Sequence, residues 1–298
     1  MLIPSEYSVS VVIPTYNRLS FLKETISSVL EQTFSPLEIL VVDDGSTDET
    51  ETWVKSLPSK LIHYIKISNS GPALARNKAA HLAKGNYLAF LDSDDYWLPE
   101  KLQSQIEFLQ ANPSYQVLQN EEIWIRRGKR VNPMKKHYKP SGDIFFPSLK
   151  LCLISPSGVL IKKEVFEKLG GFDPNFLVCE DYELWLRLTL QYPVKTLSDA
   201  FVVKRGGHED QLSRRFWGMD RFRVFALEKL LFTQKLNRLQ IEKVYQEIYS
   251  KLKILAKGFQ NREPLCNENP YESRWLWHVK NHPLAGEIEK IMNYARSA

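Results

Sequence analysis

The chain has 298 residues, 43% hydrophobic and 12% aromatic, with ordinary proline and glycine counts. That excludes a disordered or low-complexity chain and allows one large α/β domain with an appendage, or two modest domains. No stretch approaches the ~18 continuous apolar residues of a membrane span, and a net charge of +5 without an RNA- or DNA-binding module pattern excludes nucleic acid as the expected partner.

The expected elements run in order. Ser8–Ile13 reads as a short β-branched strand stopped by Pro14. Leu19–Gln32 has helical spacing, with Leu22, Ile26, Val29 and Leu30 on one face. Leu37–Val42 is a second buried strand and Thr47–Leu57 a second helix, with Thr47 or Asp48 at its start. Leu61–Ile67 is a third strand. Gly71-Pro72 opens a helix through Leu82, with Gly85 as its cap, and Tyr87–Leu91 is a fourth strand. Strands alternating with such helices imply right-handed βαβ units and parallel pairing.

The second half is less regular. Helices are expected over Trp97–Ala111, Lys162–Leu169 and Asp181–Gln191, and strands over Val117–Ile125 and Gly158–Ile161. From Phe216 onward the pattern is helical; Ile241, Val244, Tyr245, Ile248, Leu252 and Leu255 share one face, and Gly258 ends that helix. Asn261–Asn269 reads as a linker, and Trp275 begins a last helical unit.

Charge is uneven. Arg214–Arg262 holds twelve Lys/Arg against four Asp/Glu, which leaves the rest of the chain at −3. This basic, aromatic-rich section reads as solvated helix faces, or as a peripheral contact with an anionic membrane or a phosphorylated acceptor. Its apolar residues, Phe216, Trp217, Phe222, Phe225, Leu230 and Leu231, are numerous enough for a homodimer through these helices. Cys152, Cys179 and Cys266 are odd in number and in no ligand spacing, and the N-terminus lacks the build of a signal peptide. A cytoplasmic setting follows, with the inner face of the membrane within reach.

Three polar clusters sit at carboxyl ends of strands: Thr15-Tyr16-Asn17, Asp43-Asp44 and Asp92-Ser93-Asp94-Asp95. In open α/β sheets that edge is where ligands collect. Three carboxylates at one strand end suit a hard divalent cation, Mg²⁺ or Mn²⁺, with positions left for phosphate oxygens.

Taken together, Val11–Arg18, Val41–Asp48, Gly71–Asn77 and Leu91–Asp95 closely resemble family 2 glycosyltransferases in order and spacing, over about residues 8–210. The resemblance implies an α/β GT-A fold, a Rossmann-like mixed sheet that handles nucleotide-diphospho-sugars, over 1–213, with a helical C-terminal extension over 214–298. It implies a nucleotide-sugar donor, a Mn²⁺ or Mg²⁺ ion, and inversion at the anomeric carbon. Pro14, Thr15, Tyr16 and Asn17 would line the base and ribose pocket, Asp44 would accept from the base, and Arg76 would lie near the base or diphosphate. Asp92 and Ser93 would face the donor and Asp94 the metal, with Asp95 beside it. The chemistry agrees: a uracil or thymine N3–H can donate to Asp44, favouring UDP- or dTDP-sugars, and Tyr16 can stack on a base for roughly 1–3 kcal/mol.

Inverting transfer needs a general base. Glu180-Asp181 resembles the family's ED motif at a helix start, where the helix dipole holds a carboxylate ionised; Asp181 is the expected base. Ser155–Gly158 would face the donor sugar, and Gly170–Asp173 resembles the turn before the acceptor site. His208, in Gly206-Gly207-His208, would complete the metal shell when its loop closes. Gln211–Arg214 is only loosely similar to the QxxRW motif of processive members, since Arg215 stands where Trp would, and Arg214 or Arg215 would touch the diphosphate. Transfer of a single sugar to a saccharide, lipid-linked or protein acceptor is therefore expected. Two other readings are a nucleotide-sugar binding or scaffolding protein without catalysis, against which the intact Glu180-Asp181 pair counts, and a nucleotidylyltransferase, which would want a Gly-rich basic loop in place of Pro14–Asn17.

Overall fold

The computed structural model describes residues 5–132, 137–207, 216–263 and 269–281. Its first half alternates strands β1 (Val9–Thr15), β2 (Glu38–Asp43), β3 (Ile62–Lys66) and β4 (Tyr87–Phe90) with helices α1 (Leu19–Leu30), α2 (Thr50–Ser56) and α3 (Pro72–Leu82). These four strands pair in parallel in the order β3-β2-β1-β4. Beyond them come β5 (Tyr96–Trp97), α4 (Lys101–Ala111), β6 (Val117–Arg126), β7 (Lys129–Val131), α5 (Phe145–Lys150), β8 (Val159–Lys162), α6 (Lys163–Lys168), α7 (Glu180–Thr189) and β9 (Lys195–Gly206). The sheet continues β4-β8-β6-β9-β5, with β7 on β6; β8 is antiparallel to β4 and β6, and β9 is parallel to β6. The mixed sheet anticipated for a GT-A fold is thus present.

Period-2 alternation divides the core. Val9, Val11 and Ile13 of β1 face α1 and α4, meeting Leu22, Ile26, Leu102 and Ile106, while Val12 joins the opposite cluster with Ala75, Ala79, Leu184, Trp185 and Leu188. A third cluster holds the C-terminal helices α8 (Asp220–Thr233), α9 (Arg238–Arg262) and α10 (Pro270–Asn281). Their Val224, Leu227, Val244, Ile248 and Trp275 pack with Phe145 and Leu149 of α5 and with Tyr182 and Leu186 of α7. The basic section is therefore seated on the sheet domain rather than tethered beside it. Asn237 caps α9 by a reciprocal pair with Gln240. Glu228 of α8 anchors α10, accepting from Arg274 Nε at 2.7 Å and lying 2.6 Å from His278 Nε2.

Several boundaries differ from the sequence expectation. Strand β1 runs through Pro14 to Thr15. The Val12 carbonyl accepts from Leu91 on the β4 side, and two residues on Pro14 faces that same side, where β4 has ended. Its missing N–H costs no ladder bond there. Gly85 is not the cap of α3, which ends at an extended Ala83. A Cβ on Gly85 would sit 2.6 Å from the Ser10 amide nitrogen, so glycine serves close chain approach. Tyr96-Trp97 is a strand paired to β9, not the start of α4. Helix α9 continues through Gly258 to Arg262, and α10 starts at Pro270. The twelve-residue β9, with its irregular Lys-Thr-Leu-Ser-Asp-Ala start, has no counterpart in the sequence reading.

Gly85→Ala should cost about 1–3 kcal/mol by overpacking, read as a lowered urea midpoint with an unchanged slope; an unchanged midpoint would contradict the close approach. The Glu228 carboxyl is held below its ordinary 4.5: burial raises it, but the hydrogen bonds from His278 and Arg274 outweigh that. Its stabilisation is therefore full above the unfolded value and fades as pH falls through the folded one. Glu228→Gln should lose about 1–2 kcal/mol at pH 7, allowing for solvent on the Arg274 side, and the gap to wild type should close below pH 4.5. A gap that persists at low pH would contradict the linkage.

Candidate active site

The crevice lies past the carboxyl ends of β1, β2 and β4, and named hydrogen bonds tie its three loops together. Asn17, in a left-handed turn with φ 49°, accepts through Oδ1 from the Thr47 amide at 2.8 Å, and its own amide donates to Ser46 Oγ at 2.8 Å. These bonds lock the β1 loop to the β2 loop. Asp43 is fully buried and accepts from Ser46 N and the Tyr64 hydroxyl. Asp44 accepts from Ser70 N at 2.7 Å and Gly71 N at 2.8 Å, fixing the entry to α3. Pro14 and Thr15 are buried at the strand end, and Tyr16 stands at the rim, 39% exposed.

The acidic loop after β4 is held from below by α1. Thr25 Oγ1 lies 2.9 Å from the Ser93 carbonyl and 2.7 Å from that of Asp95. One carboxylate oxygen from each of Asp92, Asp94 and Asp95 lies within 4.8 Å of the others. Asp95 is buried, accepting from Ser157 Oγ at 2.6 Å and Arg205 N at 3.0 Å. Its carboxyl is pushed well above the usual range, first by burial and then by the charges of Asp94 and Asp92, which Lys204 only partly offsets. Asp94 pairs with Arg18 at 2.5 Å. The cluster has hard oxygen donors only, a donor set that fits Mg²⁺ or Mn²⁺.

Arg76, on α3, joins this loop to the other acidic motif. Its Nη2 donates to Asp92 Oδ1 at 2.6 Å and its Nη1 to Glu180 Oε1 at 2.7 Å. Burial alone would lower the guanidinium pKa, but Asp92 and Glu180 more than reverse that. Glu180 is itself buried, which raises its pKa against the pull of Arg76. Asp181, next along, is only half-buried, with Cys152 Sγ 3.4 Å from Oδ2. Both acids lie in the first turn of α7, at the positive end of the helix dipole. Cys179 just before them has φ 62°, a costly conformation for a non-glycine residue that turns the chain into the helix.

The structure thus brings Asp92, Asp94, Arg76, Glu180 and Asp181 to one crevice, flanked by Tyr16 and Asp44. Ser93 is buried with its carbonyl toward Thr25. His208, with Gln211, Arg214 and Arg215, lies outside the described residues. Sequence reasoning missed three cations. Besides Arg18, Arg205 donates from Nε to the Asp94 carbonyl at 2.5 Å. Lys204 donates to Ser155 Oγ at 3.0 Å, and Glu122, Asp95, Asp92 and Asp181 hold it charged against burial. Arg18 closes the first motif and could have been read from it. Lys204 and Arg205 depend on recognising β9.

Residues 10–170 match the family model described as glycosyl transferase family 2. The chain is 33% identical over 207 residues to the UDP-Glc:alpha-D-GlcNAc-diphosphoundecaprenol beta-1,3-glucosyltransferase WfgD of Escherichia coli, covering 67% of this chain and 77% of that protein. It is 33% identical over 190 residues to an uncharacterized glycosyltransferase of Rickettsia typhi, covering 60% of this chain and 58% of that relative's length. Among solved structures, S. aureus TarS 1-349 in complex with UDP-GlcNAc aligns with a TM-score of 0.67 at 22% identity, covering 91% of this chain and 79% of that one. The mannosyltransferase PcManGT from Pyrobaculum calidifontis, in complex with GDP-Man and Mn2+, aligns at 0.60 and 18%, covering 91% and 84%. These two likenesses carry the GT-A fold. With its four motifs meeting in one crevice and its N-terminal half matched throughout, the chain belongs to glycosyl transferase family 2.

Proposed function

We propose that the chain is an inverting, metal-dependent glycosyltransferase that moves a single sugar from a nucleoside diphosphate sugar to the hydroxyl of a saccharide acceptor carried on a lipid. The observation that carries this reading is the Arg76 bridge, which sets the Asp92–Asp95 cluster and the Glu180-Asp181 pair across one crevice. Asp181 takes the proton of the acceptor hydroxyl as its oxygen bonds to the anomeric carbon. The bond from that carbon to the diphosphate oxygen breaks on the opposite face, and its electron pair leaves with the nucleoside diphosphate, which inverts the centre. Glu180, engaged by Arg76, positions rather than deprotonates. A divalent cation, Mn²⁺ or Mg²⁺, bound by Asp92 and Asp94 with Asp95 behind them, would supply charge to the departing diphosphate.

Pro14, Thr15 and Tyr16 hold the base and ribose in this reading. Asp44 already accepts two backbone amides, but a carboxylate has about four acceptor sites, so it can also take a uracil or thymine N3–H. UDP- or dTDP-sugars are the favoured donors, in keeping with the UDP-GlcNAc complex of TarS. The name of the E. coli relative, with its diphosphoundecaprenol substrate, supports a lipid-linked acceptor. Work on such an acceptor would bring the protein to the inner face of the membrane; no helix among the described residues is long and apolar enough to cross it.

Nucleoside diphosphate release, measured over a panel of UDP-, dTDP- and GDP-sugars with Mn²⁺, Mg²⁺ or EDTA, tests the proposal. Asp181→Asn should lower kcat by about 10²–10⁴-fold while donor affinity stays near wild type. Asp94→Asn should abolish the metal dependence of donor binding, and NMR of the product should show the anomeric configuration opposite to that of the donor. Retention, or full turnover in EDTA, would refute the corresponding part. An Asp181→Asn enzyme at wild-type kcat would remove Asp181 as the base.

A further inference from the structure

A second cavity, about 450 Å³, opens where the turn before α7 meets the C-terminal helices. Phe176 and Leu177 form one wall; Phe225 of α8, Leu252 and Leu255 of α9 and Tyr271 of α10 form the others. The volume is that of a ligand site. Among the described residues no carboxylate lines it. Of its two arginines, Arg274 is neutralised by Glu228. Arg221 has no carboxylate partner among the described residues; it donates from Nη2 to the Trp217 carbonyl, and its buried Nε lacks a hydrogen bond.

Arg221 is not alone. Its guanidinium lies 4.0 Å from the centroid of the half-exposed Trp217 ring, and that of Arg262 lies 4.3 Å from the same centroid, again without a carboxylate among the described residues. Two glycines lie beside this pair, Gly218 against Leu255 and Gly258 against Arg262. A Cβ on Gly218 would lie 3.7 Å from Arg221 Nε and 3.3 Å from Leu255, and one on Gly258 would lie 3.3 Å from Arg262 Nη1. The indole face attracts each guanidinium, and the buried Nε of Arg221 still lacks an acceptor at the cavity wall, where a guanidinium fork suits phosphate oxygens.

We propose that this cleft binds a single-chain prenyl phosphate or diphosphate, the hydrocarbon lying between Leu177, Phe225 and Leu255 and the phosphate at Arg221, the wall arginine without a carboxylate among the described residues. A free saccharide is disfavoured, because the walls offer few hydrogen-bonding groups. The position suits a lipid-carried acceptor, so the proposal rests on the transfer reading above: Leu177 on the cavity wall is four residues from Asp181, at most about 14 Å along the chain.

The experiment reads binding without donor or metal, so it stands or falls apart from catalysis. Geranylgeranyl phosphate, below its micellar concentration, is titrated against the full chain by calorimetry, with inorganic pyrophosphate, geranylgeraniol and phosphatidylglycerol vesicles as separate ligands. Saturable one-to-one binding is expected, weakened about tenfold by Arg221→Gln and at least as much by Phe225→Asp. Donor hydrolysis by both variants should stay at the wild-type rate, which also reports that they fold. Equal affinity in wild type and variants, pyrophosphate binding as tightly as the prenyl phosphate, or association with vesicles alone would each overturn the proposal: the first denies this cleft, the second makes it an ion site, and the third makes it a membrane-facing surface.

Discussion

The site depends on one buried guanidinium. Arg76 spans Asp92 at the end of a parallel strand and Glu180 at the start of a helix more than a hundred residues later. Removing it would leave two carboxylates facing each other with little water, an arrangement that costs several kcal/mol where an ion pair is broken. The cation is therefore more than a phosphate contact in waiting. It sets the separation between the Asp92–Asp95 loop and the Glu180-Asp181 pair.

Around that bridge the protein collects acids and then compensates them from different parts of the chain. Arg18 comes from the start of α1, and Lys204 and Arg205 from the end of β9. They arrive on two elements far apart in sequence, so the charge balance of the crevice is assembled only when the sheet is complete. Strand β9 matters twice here: it pairs with β6 and β5 to extend the sheet, and its last residues steady the acidic loop through Asp94 and Asp95.

Much of the first half was legible in the sequence because its signals are local. Buried parallel strands are continuous apolar runs, their helices carry 3.6-residue spacing, and the functional clusters fall at strand ends. The acidic motifs were legible for the same reason. What stayed hidden was set by distant partners. Strand β9 begins with a polar, non-alternating stretch and becomes a strand because β6 offers it an edge. Gly258 looked like a helix terminator and instead clears space for a side chain four residues on. Gly85 looked like a cap and instead admits Ser10. The role of Pro14 could be judged only once β4 was seen to end short of it.

Helix α7 has a property that none of its neighbours shares. Leu184, Trp185 and Leu188 are buried with the sheet layer, while Tyr182 and Leu186 belong to the cluster of the C-terminal helices. The two sides of one ten-residue rod are thus packed by separate layers, so a change in the outer bundle meets α7 at Leu186 and at Tyr182, the residue directly after the acids at its start.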